Sequence, residues 1–251
     1  MSMLVDVHCH IDEYEDVKSI VKRALEHEVT VIIGVGSDPE SNEAVLQAMS
    51  IAPQNIRVCI GYHPWESWKA TDDELQLIIR QVEENLDRIV GLGEVGMDRR
   101  FVRGEDKWRR QFRVFERIVR LAKEYDLPLN IHSVHAERII LELLDRYRIE
   151  RALFHWYTGS LEVLESIIDR GYYVSVNLAL QYSRRAIEVA RKTPLSLILL
   201  ESDAPYMFKE EEAHPWSVAK VAELLARVKE LEIEWVKKAT TRNAMKLFRI
   251  S

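Results

Sequence analysis

The sequence is poor in several features, and each shortage removes a class of protein. It has only two cysteines, Cys9 and Cys59, both inside apolar stretches. A disulfide framework is therefore excluded, and buried thiols in a reducing compartment are expected. No apolar run approaches 18 residues, so no membrane span is expected. The opening MSMLVDVH lacks the basic and long apolar regions of a secretion signal, which points to a cytoplasmic protein. No glycine follows the first apolar stretch in HCHIDEYED, where a dinucleotide-binding turn would need it. A surplus of positive charge is missing too. The net charge of −6 argues against a general basic coat for nucleic acid but leaves room for a local basic site. Low-complexity segments, linkers and charge blocks are absent, so residues 1–251 are expected to form one domain.

What is present is a repeated alternation. Short β-rich apolar runs occur at 3–8, 29–36, 56–62, 89–96, 128–133, 151–156, 172–177 and 197–202. Helical patterns lie between them. In 105–125, Trp108, Phe112, Phe115, Val119 and Ala122 follow an i, i+3/i+4 stripe. Eight strands alternating with helices imply a parallel sheet with right-handed crossovers. Eight such units in 251 residues fit an α/β fold of the (β/α)8 TIM-barrel type.

Barrel chemistry sits at the C-terminal ends of strands. Five of the eight histidines fall there: His8 and His10 after the first strand, His63 after the third, His132 at the fifth and His155 at the sixth. Glu94 lies near the end of the fourth strand, and Glu201-Ser202-Asp203 ends the eighth. Four imidazoles (His8, His10, His132, His155) with Glu94 and Asp203 make a mixed N/O donor set for Zn, Mn or a similar ion. Six donors exceed one tetrahedral ion, so two ions with a shared ligand is the expected arrangement. His27, His135 and His214 are expected to be ordinary polar residues, His27 in a helix and His135 one turn into the next. In VDVHCH, strict alternation puts Asp6, His8 and His10 on one face and Val5, Val7 and Cys9 on the other.

The ordered set VDVHCHID, GYHPW, VGLGEVGMD, LPLNIHS, FHWYTGS and LESDAPY, with TTRNAMKLF near the C-terminus, resembles the TatD-type metal-dependent DNases. These belong among the amidohydrolase-like metallo-barrels. The resemblance runs from Met3 to Phe248 and implies a (β/α)8 barrel with two divalent ions, drawn from Mg, Mn, Zn or Co. It implies that His8, His10 and Asp203 hold one metal, that His132 and His155 hold the other, and that Glu94 bridges them. His63 would face the phosphate. Three positions depart from the pattern. Val134 replaces the usual arginine after the fifth strand, Trp156 and Tyr157 are bulkier than usual, and Ala204 replaces serine. No lysine occurs in IVGLGEVG, so a carbamylated-lysine bridge is not expected.

The implied activity is phosphodiester hydrolysis of DNA, as a 3′–5′ exonuclease working on single-stranded or accessible ends. Two metals would activate water. Asp203 would orient it or take its proton, and His63 would hydrogen-bond a phosphoryl oxygen or protonate the leaving group. Asp6 is expected to support a ligand imidazole, with a purely structural role as the alternative. Arg99 and Arg100 are expected phosphate contacts, ahead of Arg103, Lys107, Arg109, Arg110 and Arg113 in the helical run. Trp65, Trp68, Trp156 and Tyr157 are expected to offer stacking faces. The alternative activity is hydrolysis of an ester or amide, as in a D-aminoacyl-tRNA deacylase, and a non-catalytic metal-dependent binding module is a third possibility. Oligomeric state is left open.

Overall fold

In a computed structural model, residues 3–100 and 102–250 are described. Eight strands form one parallel sheet in sequential order: β1 (Leu4–Cys9), β2 (Val29–Val35), β3 (Ile56–Tyr62), β4 (Ile89–Asp98), β5 (Leu129–Val134), β6 (Ala152–Phe154), β7 (Tyr173–Val176) and β8 (Ile198–Leu200). The sheet curls until its ends meet. Asp203 N donates to the His8 carbonyl, His10 N to that of Ala204, and Cys9 bridges Ala204. The (β/α)8 barrel expected from the alternation is the observed architecture.

The surrounding helices are α1 (Val17–Glu26), α2 (Pro39–Ile51), α3 (Pro64–Ser67), α4 (Asp72–Glu84), α5 (Glu105–Glu124), α6 (Glu137–Arg146), α7 (Leu161–Asp169), α8 (Arg184–Lys192), α9 (Ser217–Lys229) and α10 (Ile233–Phe248). Their starts are written in the sequence. Asp16, Asp38, Ser160 and Ser183 each accept a backbone N–H of the first turn, and Thr71 with Glu74 forms a reciprocal capping box. A two-stranded ribbon, β9 (Met207–Phe208) with β10 (Glu211–Glu212), follows the last barrel strand and was not expected. His135 also departs from expectation: it is a left-handed loop residue (φ 54°) ahead of α6 rather than part of it.

Two apolar layers hold the barrel. The larger packs strands against helices. The smaller gathers Val5, Val7, Ile33, Val35, Cys59, Leu153, Tyr173 and Leu199 with Ala244, Leu247 and Phe248 of α10. Leu153 and Leu199 lie two residues before His155 and Glu201, on the same strand face, so this second cluster lies inside the barrel and α10 plugs its base.

That placement corrects the expected face of β1. Its pairing with β2 is irregular between Asp6 and Cys9, which breaks strict alternation. Val5 and Val7 therefore join the interior cluster, while Cys9 joins the outer one. Asp6 accepts from Ser202 N (2.9 Å), from Ser202 Oγ (2.5 Å) and from His8 N (3.3 Å). It ties β1 to the segment after β8, and it holds His8 through the backbone rather than through the imidazole. The structural role is the one it fills, and burial keeps its carboxyl well above the usual range.

Candidate metal centre

Glu94 is the hub at the C-terminal rim. Its side chain is 2% exposed and its two oxygens face different neighbours. Oε2 lies 3.3 Å from His8 Nε2 and 3.5 Å from His10 Nε2. Oε1 lies 2.7 Å from His132 Nδ1, 2.9 Å from His155 Nε2 and 3.0 Å from His63 Nε2. Asp203 Oδ1 stands 3.6 Å from His8 and 3.7 Å from His10. The rim thus brings together His8, His10, His63, Glu94, His132, His155 and Asp203.

Strand backbones make this crowding possible. At Gly93, a Cβ would stand 2.5 Å from Asn130 Cβ; at Gly96 (φ 145°) it would stand 2.0 Å from the His132 carbonyl. Only glycine lets β4 approach β5 so closely while presenting Glu94. Asp203 (φ 54°) and Trp156 (φ 36°) both adopt left-handed backbone beside the centre. Such residues cost on the order of 1–3 kcal/mol each and persist where their surroundings fix them.

Each of three imidazoles has a polar group behind it. Asn130 Nδ2 donates to the Val7 carbonyl (3.0 Å), so its Oδ1 faces His8 Nδ1 at 3.0 Å. The His8 proton must then sit on Nδ1, leaving Nε2 as a lone pair. His132 Nε2 lies 2.8 Å from Asp98 Oδ2. His155 Nδ1 is 3.7 Å from Glu201 Oε2, whose carboxylate accepts from Ser175 Oγ (2.5 Å) and Asn177 Nδ2 (2.9 Å). Asn130, Asp98 and Glu201 were not expected as site residues. Alternation could have found Asn130, which shares a face with His132, whereas Asp98 lies beyond the expected end of the fourth strand.

A divalent ion fits this donor set. The buried His8 Nε2 has no hydrogen-bond partner although two carboxylates face it. Three groups (His8, His10, Glu94; His63, Glu94, His132; His8, His155, Glu201) each bring ligand atoms within 4.8 Å of one another. The electrostatics agree. Burial opposes a charged Glu94, yet the imidazoles of His63, His155 and His8 hold it well below the usual carboxylate range. Burial also opposes charge on His10, but Asp203 and Glu94 outweigh it and lift the ring to about 9. His63 is the opposite case: burial pushes it down to about 4 against the pull of Glu94.

The family model described as TatD related DNase matches residues 5–249. The chain belongs to the TatD related DNase family. Deoxyribonuclease TATDN3 of Homo sapiens is 30% identical over 258 aligned residues, covering 98% of this chain and 94% of the human one. An uncharacterized metal-dependent hydrolase of Methanocaldococcus jannaschii is 28% identical, covering 98% and 96%. The crystal structure of YjjV, a TatD homologue from Escherichia coli, superposes with a TM-score of 0.89 at 28% identity, covering 99% of this chain and 98% of that one.

Around this TatD-family rim, the expected substrate contacts divide. Arg100 clasps Asp98 through Nε and Nη2 (2.7 Å for the latter), next to His132. Arg99 turns outward, 3.3 Å from Glu105 and 4.5 Å above the Trp108 ring. Trp65 is half exposed, with its ring edge against His63. Trp156 packs against Tyr206 and Phe208, both 5.0 Å away. Tyr157 is a correction. Its ring is buried and its hydroxyl donates to the Ser160 carbonyl, so it offers no stacking face. His214 meets Tyr14 and stacks on Trp216, and it joins none of the ligand groups among the described residues.

Proposed function

We propose that this protein is a divalent-metal-dependent hydrolase that cleaves DNA phosphodiester bonds from accessible ends, in the manner of a 3′–5′ exonuclease. The carrying observation is the donor set: four imidazoles and two carboxylates on one rim, with a buried His8 lone pair aimed between two anions. His8, His10 and Asp203 would hold one ion and His132 and His155 the other. Glu94 would bridge them, because its two oxygens already face the two sides. Bound divalent ions, whether Mg, Mn, Zn or Co, would lower the pKa of water and polarise a phosphoryl oxygen.

The protein's own groups supply the rest. Asp203 accepts the proton of the attacking water, from a position fixed by its backbone bond to His8. His63 Nδ1 accepts from Trp65 N at 3.0 Å, so the ring proton is on Nε2, pointing at the centre. It donates to a phosphoryl oxygen as charge develops there. Arg100 lies beside Asp98 and would share itself with a phosphate, while Trp65 and Trp156 would offer rings to a base. No helix among the described residues is long and apolar enough to cross a membrane.

The test strips the protein of metal, reloads it with single ions, and follows end-labelled single- and double-stranded DNA beside a D-aminoacyl-tRNA. DNA cleavage that is lost in Glu94→Ala and Asp203→Asn supports the proposal. Cleavage of the ester alone refutes it, and full activity in both variants refutes the site.

A further inference from the structure

Residues 98–113 carry seven Lys or Arg against three Asp or Glu, in a chain whose net charge is −6. This basic segment leaves the metal centre directly. It starts at Asp98, which touches His132, and passes through Arg100 and Arg99 into α5. Alongside α5 runs an open groove of about 610 Å3, lined by Asp106, Trp108, Arg109, Phe112 and Arg113. That volume is within the range of small-molecule sites.

Two features make the groove more than a solvated helix face. Arg110, on the neighbouring face, is already used by the Ala70 carbonyl (2.8 Å) and Asp72 (2.7 Å). Among the described residues, Arg109 and Arg113 make no ion pair. They stand one turn apart on the same face, with Asp106 the single acid among the lining residues. Beside them in the groove is Trp108, partly buried against the core and with the Arg99 guanidinium over its ring.

We propose that this groove is a subsite for single-stranded DNA extending away from the metal centre. Trp108 and Phe112 receive a base, and Arg109 and Arg113 receive the phosphates flanking it. A π-face stacks any base, and two guanidiniums one helical turn apart track a backbone without reading sequence. The acidic remainder of the chain disfavours a second strand. This subsite rests on the reading of the centre as a phosphodiester hydrolase.

The experiment uses metal-loaded protein and two phosphorothioate oligonucleotides, which keep their charge and resist cleavage: dT3 and dT12. Binding is read by fluorescence anisotropy. Trp108→Leu is expected to weaken dT12 roughly 5- to 150-fold, the loss of one stacked base. Arg109→Ser with Arg113→Ser, a surface pair that leaves the core alone, is expected to weaken dT12 and to lower its salt slope by about 1.4, for two phosphate contacts. The dT3 affinity moves little in both. Turnover of ordinary dT12, taken as a ratio to bis(p-nitrophenyl) phosphate, falls in the same variants. Wild-type affinity for dT12 in both variants overturns the subsite, as does an equal loss for dT3 and dT12. If the metal-loaded wild type cleaves neither substrate, the hydrolase reading fails. A dT12 affinity that depends on Trp108 and the two arginines would then still support the groove.

Discussion

Asn130 is the most informative single position outside the proposed ligands. It is fully buried and bridges the Val7 carbonyl to His8 Nδ1. Replacing it with leucine, of similar size, strands two buried groups: the His8 N–H and the Val7 carbonyl. At about 1–3 kcal/mol for each unsatisfied group, the loss of stability is about 2–6 kcal/mol. The His8 ring also loses what fixes its tautomer. Removing such a partner typically costs 10- to 100-fold in metal affinity. Asn130→Asp separates the two effects. It strands the Val7 carbonyl but still gives His8 Nδ1–H an acceptor, so stability falls while metal affinity holds within a few-fold. The assays are a chelator competition titration with one chosen ion and a denaturant melt of the stripped protein. Wild-type metal affinity in Asn130→Leu would refute the assignment of His8 Nε2 as a lone pair preset for metal. An equal loss in Asn130→Asp would show that Asn130 acts through stability alone.

Other outcomes follow from the same contacts. Gly96→Ala sets a Cβ on the His132 carbonyl in a backbone region alanine avoids. The expected cost is about 2–5 kcal/mol, or a Tm fall of roughly 5–20 °C; a melt within 2 °C of wild type contradicts it. Burial raises Tyr62 and Tyr172 to about 12, above the ordinary tyrosine value of about 10. Their folded-state pKa is raised, so their contribution is intact below pH ~10 and is lost as pH climbs toward ~12. Urea midpoints should fall across that window, and ultraviolet titration should find at least four late phenols among the nine tyrosines, because burial raises Tyr14 and Tyr157 still further. Nine phenols titrating together in folded protein contradicts this. Burial also pushes both thiols, Cys9 and Cys59, well up. An aromatic disulfide reagent at pH 8 should label neither in the native state and both on unfolding.

The barrel was legible because parallel strands buried on both faces read as apolar runs with little disguise. Most predicted strands agree with the observed ones to within a residue or two at each end, and the histidines of the rim fell at strand ends as the architecture demands. What escaped were contacts between distant segments. Asp6 meets Ser202, far along the chain, and the irregular pairing after Asp6 reverses the face that alternation assigns. Asp98 lay beyond the expected end of the fourth strand, which runs two residues further. Asn130 was visible as one amide inside an apolar strand, yet its purpose depends on where His8 lies across the barrel. Tyr157 is expected to offer a stacking face because it falls in a loop at the rim. The chain turns at Trp156 and returns Tyr157 to Ser160, and that backbone geometry leaves no mark on the residue pattern.

The central claim is one carboxylate joining two ion sites, and metal stoichiometry tests it most directly. Stripped protein reloaded with excess Mn, desalted and measured by elemental analysis should hold about two ions per chain. Glu94→Ala should hold fewer than one. One ion per chain in the wild type, or two in Glu94→Ala, would contradict the account.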